Sequence, residues 1–335
     1  MTQENEIRQV KNQHAESLLA RQNVVGVGIG YKEVGGEPTG SLSLKVLVRQ
    51  KLPVSGLDPK AVVPSRLNGV ETDVVPVGLI RALQARTGRW RPAPGGVSLG
   101  HYQITAGTFG CVVRDRSSGV RLILSNNHVL ANSNAAQVGD PILQPGPADG
   151  GRQDQDIIAR LERFCPIEFS VAPPTCNLAI GFATIGNILA RMLGSRHRLN
   201  VYQKNQAATN LVDAAVARPL DDTLIKDDIL EIGIVTGTVE AALGMTVRKS
   251  GRTTGFTTGV ITVLDATVDV SYGAGRTARF EDQIVCGPMS QGGDSGSLLV
   301  AGDSLAAVGL LFAGSEGSTV FNPIQAVLDC LEVTI

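Results

Sequence analysis

Glycine occurs at 39 of the 335 positions and cuts the apolar residues of this chain into short runs that end in turn-forming residues. Runs of that length suit strands and are too short for the helices of a bundle. Hydrophobic residues make up 43% of the chain and aromatic ones only 4%, which favours glycine-turned β-structure packed mainly with aliphatic side chains. The length suits about two domains, each with a sizeable core.

The first part of the chain has a different pattern. Ile7, Val10, Leu18 and Leu19 among charges predict a helix over 5–20. Strand-like runs follow at 24–34 and 42–48, joined across Gly35-Gly36-Glu37-Pro38, with a third at 71–77 and a short helix at 79–86. These elements make a small α/β accessory domain over 1–95, ending in the Gly- and Pro-rich linker 87–96. A first β-domain over 96–220 and a second over 221–335 come after it. Gly26-Val27-Gly28-Ile29-Gly30 is no nucleotide loop, because its glycines alternate with apolar residues inside a strand pattern and no phosphate-binding helix start follows.

Chemistry is concentrated in three places. Gly293-Asp294-Ser295-Gly296 sets a serine in a glycine-flanked turn, where a nucleophile and backbone donors can share one loop. A serine hydroxyl needs a base, and the chain has four histidines. His14, His101 and His197 lie in a charged segment, a Gly/Pro-rich connection and a basic stretch. His128 follows the apolar run Leu122-Ile123-Leu124 and the polar Ser125-Asn126-Asn127, which places an imidazole at the end of a buried strand. The third partner is a buried carboxylate. Asp213, interrupting the apolar run Leu211 to Ala217, is preferred over Asp156 because it leaves room for one six-stranded barrel before Ser295 without a large insertion.

The order His128, Asp213, Ser295, with Ser125-Asn126-Asn127-His128 after a strand and Gly293-Asp294-Ser295-Gly296 in a loop, resembles the chymotrypsin-like serine peptidases. The run Val247-Arg248-Lys249-Ser250-Gly251-Arg252-Thr253-Thr254-Gly255 is similar to the start of the second barrel in bacterial secreted members. The stretch from Leu124 to Gly151 resembles intracellular trypsin-like peptidases of bacteria and the plant narrow-leaf proteins. The resemblance covers roughly 105–335 and implies a mainly β, chymotrypsin-like double six-stranded β-barrel that hydrolyses peptide bonds. It implies an oxyanion hole from the N–H groups of Gly293 and Ser295, and a loop held in shape by Asp294. Met289 would be the floor of the specificity pocket and Phe312, Ala313 and Gly314 its wall. Phe312 stands where the family usually has a small serine that serves the buried aspartate. No acid lies at the floor, so a medium apolar substrate side chain is the default.

Composition and the remaining segments bound the other functions. A net charge of −1 gives no case for nucleic acid or an acidic membrane surface. No run places His, Cys or acids at metal-ligand spacing, and no cofactor is implied. Five cysteines, an odd count without clustering, and a start lacking signal-peptide regions predict a cytoplasmic setting. Cys165 and Cys176 can close a small loop if oxidised. A helical insertion near 165–205 carries an apolar helix over 178–193, too short and interrupted to span a bilayer and in need of cover from this chain or from a homo-oligomer. Ile324, Val327, Leu328 and Leu331 predict a closing helix. The function expected is a regulated intracellular serine endopeptidase. The competing readings are a silent binding scaffold on the same barrels and an esterase using the same three residues.

Overall fold

A computed structural model describes residues 2–35, 37–53, 57–78, 85–205 and 207–335. The chain divides into two units, Met1–Gln84 and Ala85–Ile335. In the first, the helix Gln3–Leu19 turns Ile7, Val10 and Leu18 inward at helical spacing. They meet Leu44, Val46 and Val48 of a four-stranded sheet. Its strands are Val24–Val34, Glu37–Val48, Val70–Pro76 and Arg66–Leu67 in spatial order. Gly26, Gly28 and Gly30 lie inside the first strand, as the alternation predicts. The short helix expected at 79–86 falls largely outside the described residues.

Two closed β-barrels form the second unit. In the first, Ser98–His101 pairs with Gly107–Thr108, which runs on through Phe109 and Gly110 into Cys111–Asp115. The ring continues through Arg121–Ser125, Ala215–Pro219, Ile157–Phe164 and Pro141–Leu143 back to Ser98–His101. In the second, Thr246–Gly251, Gly255–Ser271, Thr277–Cys286, Thr319–Pro323, Ala307–Gly314 and Leu298–Ala301 pair in that order, and the last returns to the first. Closure leaves neither sheet with a long bare edge. The fold is therefore mainly β, a double six-stranded barrel, with the helical insertion at Asn177–Met192.

Strand alternation divides the cores. Ile123 faces the interior of the first barrel, with Leu99, Phe109 and Ile142. Leu122 and Leu124, on the opposite face of the same strand, join Leu298, Leu310 and Val327 in a cluster shared by both barrels and the closing helix Ile324–Cys330. The second barrel is filled by Val247, Ile261, Ile284 and Phe321 among others.

Two expectations are corrected and one open alternative is narrowed. The stretch 87–96 is not a linker, and the unit boundary lies before it. Ala93–Gly95 pairs in parallel with Ile225–Ile229, while the Trp90 N–H and the Arg91 guanidinium both donate to buried Gln144. Proline and glycine there serve extended, paired backbone rather than flexibility. Cys165 bonds not to Cys176 but to Cys330, 165 residues away, tying the end of a first-barrel strand to the closing helix, while Cys176 is free and exposed. Finally, the helix Asn177–Met192 has no buried residue, and Leu178, Phe182 and Met192 are all more than 70% exposed. Among the described residues, nothing of its own chain buries any residue of it.

Phe321 is fully buried in the second barrel. Its replacement by alanine is expected to destabilise this unit by about 3–5 kcal/mol, through lost transfer energy and the cavity left behind, as read by urea denaturation.

Candidate active site

The strand Arg121–Ser125 delivers its polar end into the seam between the barrels. Asn126 Nδ2 donates to the Asp213 carbonyl at 2.7 Å and Asn127 Nδ2 to the Cys165 carbonyl at 2.7 Å, fixing the single turn Asn127–Leu130 that carries His128. The polar residues before the histidine thus position it.

Of the two candidate acids, Asp213 is the one at His128. His128 Nδ1 lies 2.6 Å from Asp213 Oδ2, and the His128 backbone N–H donates to Oδ1 at 3.1 Å. A third donor is the Tyr272 hydroxyl, 2.7 Å from Oδ2. The Asp213 side chain is fully buried, a costly place for a charge, and these donors offset that cost. The backbone is pinned as well: Asp213 N–H donates to Asn322 Oδ1 at 3.0 Å, and Asn322 Nδ2 donates to Gln283 Oε1 at 2.7 Å. With Nδ1–H committed to the carboxylate, Nε2 is the ring nitrogen left for the cleft. Asp156 instead accepts from Arg89 Nε at 2.9 Å and the Arg152 N–H at 3.0 Å, while His101 is buried against Asp140.

Ser295 sits in a loop whose shape is set from inside the second barrel. Asp294 is fully buried and 3.1 Å from Lys249 Nζ, which is also fully buried. Its carboxylate also accepts from the Thr254 hydroxyl and from the N–H groups of Gln291, Thr253 and Thr254. Burial works against the Asp294 carboxylate, but the Lys249 ammonium and these hydrogen bonds outweigh it and hold its pKa below the ordinary range. The loop-shaping ion pair implied by the resemblance is thus supplied by a lysine of the neighbouring strand. Lys249 escaped the sequence reading, although its inward parity with Val247 on an alternating strand was a usable signal.

The glycines follow from this geometry. Gly293 has φ +95°, and a side chain there would overlap Arg252 and Thr253. The Gly292 carbonyl accepts from Thr253 Oγ1 at 2.8 Å, and because C=O and N–H of one trans peptide point oppositely, the Gly293 N–H is turned away from Thr253. Among the described residues the N–H groups of Gly293 and Ser295 have no partner. The Ser295 hydroxyl likewise bonds to no described side chain, His128 included; both residues line one cleft.

That cleft, of about 920 Å³, also collects the four residues expected around the substrate side chain. Met289 is buried and its N–H donates to Thr319 Oγ1. Phe312, Ala313 and Gly314 end the strand Ala307–Gly314. One edge of that strand pairs with Thr319–Pro323, while on the other edge the last backbone bonds are those of Leu311 with Gly296 and Ser297, so the residues after it face the cleft.

Two closed six-stranded barrels, with His128 and Ser295 lining one cleft and Asp213 buried behind His128, are the arrangement that the resemblance implies, and the chain is similar to the trypsin-fold serine peptidases. No protein-family model matches the chain. Among curated proteins it is 31% identical over 106 residues to glutamyl endopeptidase 2 of Streptomyces griseus, covering 30% of this chain and 53% of that protein. It is 35% identical over 99 residues to streptogrisin-D of the same organism, covering 28% and 24% respectively. The match therefore spans about half of the first relative and a quarter of the second. Among solved structures, Nocardiopsis protease has 18% identity and a TM-score of 0.45, covering 72% of this chain and 97% of that one. A glutamic acid specific serine protease has 17% identity and a TM-score of 0.45, with 72% and 100% covered. Among the described residues no helix is long and apolar enough to cross a membrane, and no acidic, His or Cys cluster could hold a metal ion.

Lys249→Met leaves Asp294 buried without its cation and is expected to cost about 3–5 kcal/mol of stability at neutral pH. Because the folded-state pKa of Asp294 is depressed, its contribution is present above the unfolded value of about 3.9 and is lost as pH falls through the lower folded value. Urea denaturation at pH 7 and at pH 3 checks both: the wild type weakens on acidification, and the variant starts weaker and loses less.

Proposed function

We propose that this protein is a serine endopeptidase in which Ser295 is the nucleophile, His128 the general base and Asp213 the carboxylate that orients and stabilises the imidazolium. The observation that carries the reading is the 2.6 Å contact of His128 Nδ1 with buried Asp213 on a cleft shared with Ser295. In this reading His128 Nε2 takes the Ser295 proton as Oγ adds to the scissile carbonyl, and the developing oxyanion is met by the unpartnered N–H groups of Gly293 and Ser295. The imidazolium then protonates the leaving amine, and water, activated by the same nitrogen, releases the acyl group. The free edge at 312–314 takes the substrate backbone as an added strand.

Only His128, Tyr272 and Glu316 among the described lining residues can titrate, and Met289 fills the expected floor. The pocket therefore suits a medium, uncharged side chain, and the glutamate preference named for two similar proteins is not carried over. Asp294 meets its cation within the barrel, so the loop needs no ammonium from a cleaved start. Regulation enters the proposal as restriction to a few partners, and steady hydrolysis of casein by untriggered protein would count against it. A cytoplasmic setting now competes with the Cys165–Cys330 bond, which suits an oxidising compartment. Mass spectrometry of the unreduced protein from its native cell decides between them.

The test is labelling by a fluorophosphonate probe. Wild type is expected to label, Ser295→Ala and His128→Ala to lose labelling, and Asp213→Asn to label about 10⁴-fold more slowly. A folded wild type that never labels would favour the binding-scaffold reading.

The proposal includes a homo-oligomer, through the 177–192 helix or the N-terminal unit, because an exposed apolar helix is stabilised by cover from a second copy. Light scattering checks it: Phe182→Glu is expected to shift the mass toward the monomer if the helix is the contact.

A further inference from the structure

Phe312 occupies the position that the resemblance assigns to a hydroxyl donor for the buried aspartate, and its side chain can donate nothing to Asp213. The acid is nonetheless not short of donors. The chain supplies a hydroxyl from a different element: Tyr272, directly after the long strand Gly255–Ser271, reaches across to Asp213 Oδ2 at 2.7 Å. Oδ2 is the same oxygen that receives His128 Nδ1.

The phenol is held there by packing. Phe169 meets the Tyr272 ring edge-on at 5.7 Å between centroids and Phe280 lies tilted against it at 6.3 Å, with Phe312 tilted against Phe280 at 4.7 Å. The Tyr272 ring also stands edge-on to the His128 imidazole at 6.0 Å. Phe312, through Phe280, backs the aromatic cluster that aims Tyr272. The charged and titratable groups around Tyr272 are Asp213 and His128, with the Arg276 guanidinium one ring removed, over Phe169. Burial, and then the Asp213 charge, raise the Tyr272 pKa well above that of a free phenol, so the hydroxyl stays a donor through neutral and mildly alkaline pH.

We propose that Tyr272 is a positioning residue for the candidate triad, its hydroxyl fixing the Asp213 carboxylate so that Oδ2 stays aligned with His128 Nδ1 while the imidazole becomes charged. This rests on the reading of Ser295, His128 and Asp213 given above. A hydrogen bond to a charged group is worth more than a neutral one, so its loss is felt when the imidazolium forms rather than when a ligand is bound.

The experiment is fluorophosphonate labelling of Tyr272→Phe, which keeps the ring and removes only the hydroxyl, beside wild type and Ser295→Ala. The limiting labelling rate at saturating probe is expected to fall about tenfold to a hundredfold, while the half-saturating probe concentration changes less than about twofold. Circular dichroism melting shows that the variant is folded. In parallel, NMR of the His128 Nδ1 proton is expected to show a changed shift and faster exchange with water in Tyr272→Phe. A folded variant that labels at the wild-type rate overturns the inference. A wild type that does not label sinks the nucleophile reading instead, and the NMR comparison then decides Tyr272 by itself: an unmoved Nδ1 proton overturns its role, and a displaced one upholds it.

Discussion

The candidate site depends on one carboxylate buried where the barrels meet. Asp213 draws its partners from both: His128, which donates to its carboxylate, stands on the turn after a first-barrel strand, Tyr272, a second donor, follows a second-barrel strand, and Asn322, whose Oδ1 accepts the Asp213 N–H, lies on another. A charge with no exposure is tolerable only where such donors converge, so the need to satisfy Asp213 aligns the two barrels at the cleft. The apolar cluster of Leu124, Leu298, Leu310 and Val327 supplies the burial behind it, and its aliphatic packing leaves room for a polar seam at its rim.

A second buried charge performs the matching task for the serine. Lys249 and Asp294 are both without exposure, and Asp294 gathers four further hydrogen bonds from the segment 253–254 and from Gln291. A buried ion pair adds little net stability over apolar packing, but removing one partner strands the other. Here it specifies one loop conformation, the one in which the Gly293 peptide turns its N–H away from Thr253. The candidate catalytic elements are thus set by two polar clusters at the rims of two aliphatic cores.

The parts outside the barrels obey the same physics with other outcomes. The N-terminal unit closes its own core between one amphipathic helix and a four-stranded sheet. The insertion helix does the opposite, leaving its apolar residues in solvent. The bond from Cys165 to Cys330 sits close to His128, since the Cys165 carbonyl also receives Asn127, the residue before it.

Strand periodicity, glycine punctuation and the spacing of His128, Asp213 and Ser295 were legible because each is a local property: side-chain alternation sets which face is buried, and turn residues set where the chain reverses. The helix Gln3–Leu19, the strands flanking Gly35 and the closing helix were read in place for that reason. Long-range partners were not legible. Which cysteine meets Cys165 and whether 87–96 links or pairs both depend on residues far away in the chain. Lys249 and Tyr272 carry no local mark that names Asp294 or Asp213 as partner. The sequence by itself determined a mainly β chain with a nucleophile loop and a candidate base. Only the tertiary structure decided how their charges are satisfied, because a buried charge is offset by whatever donors the closed barrels bring to it.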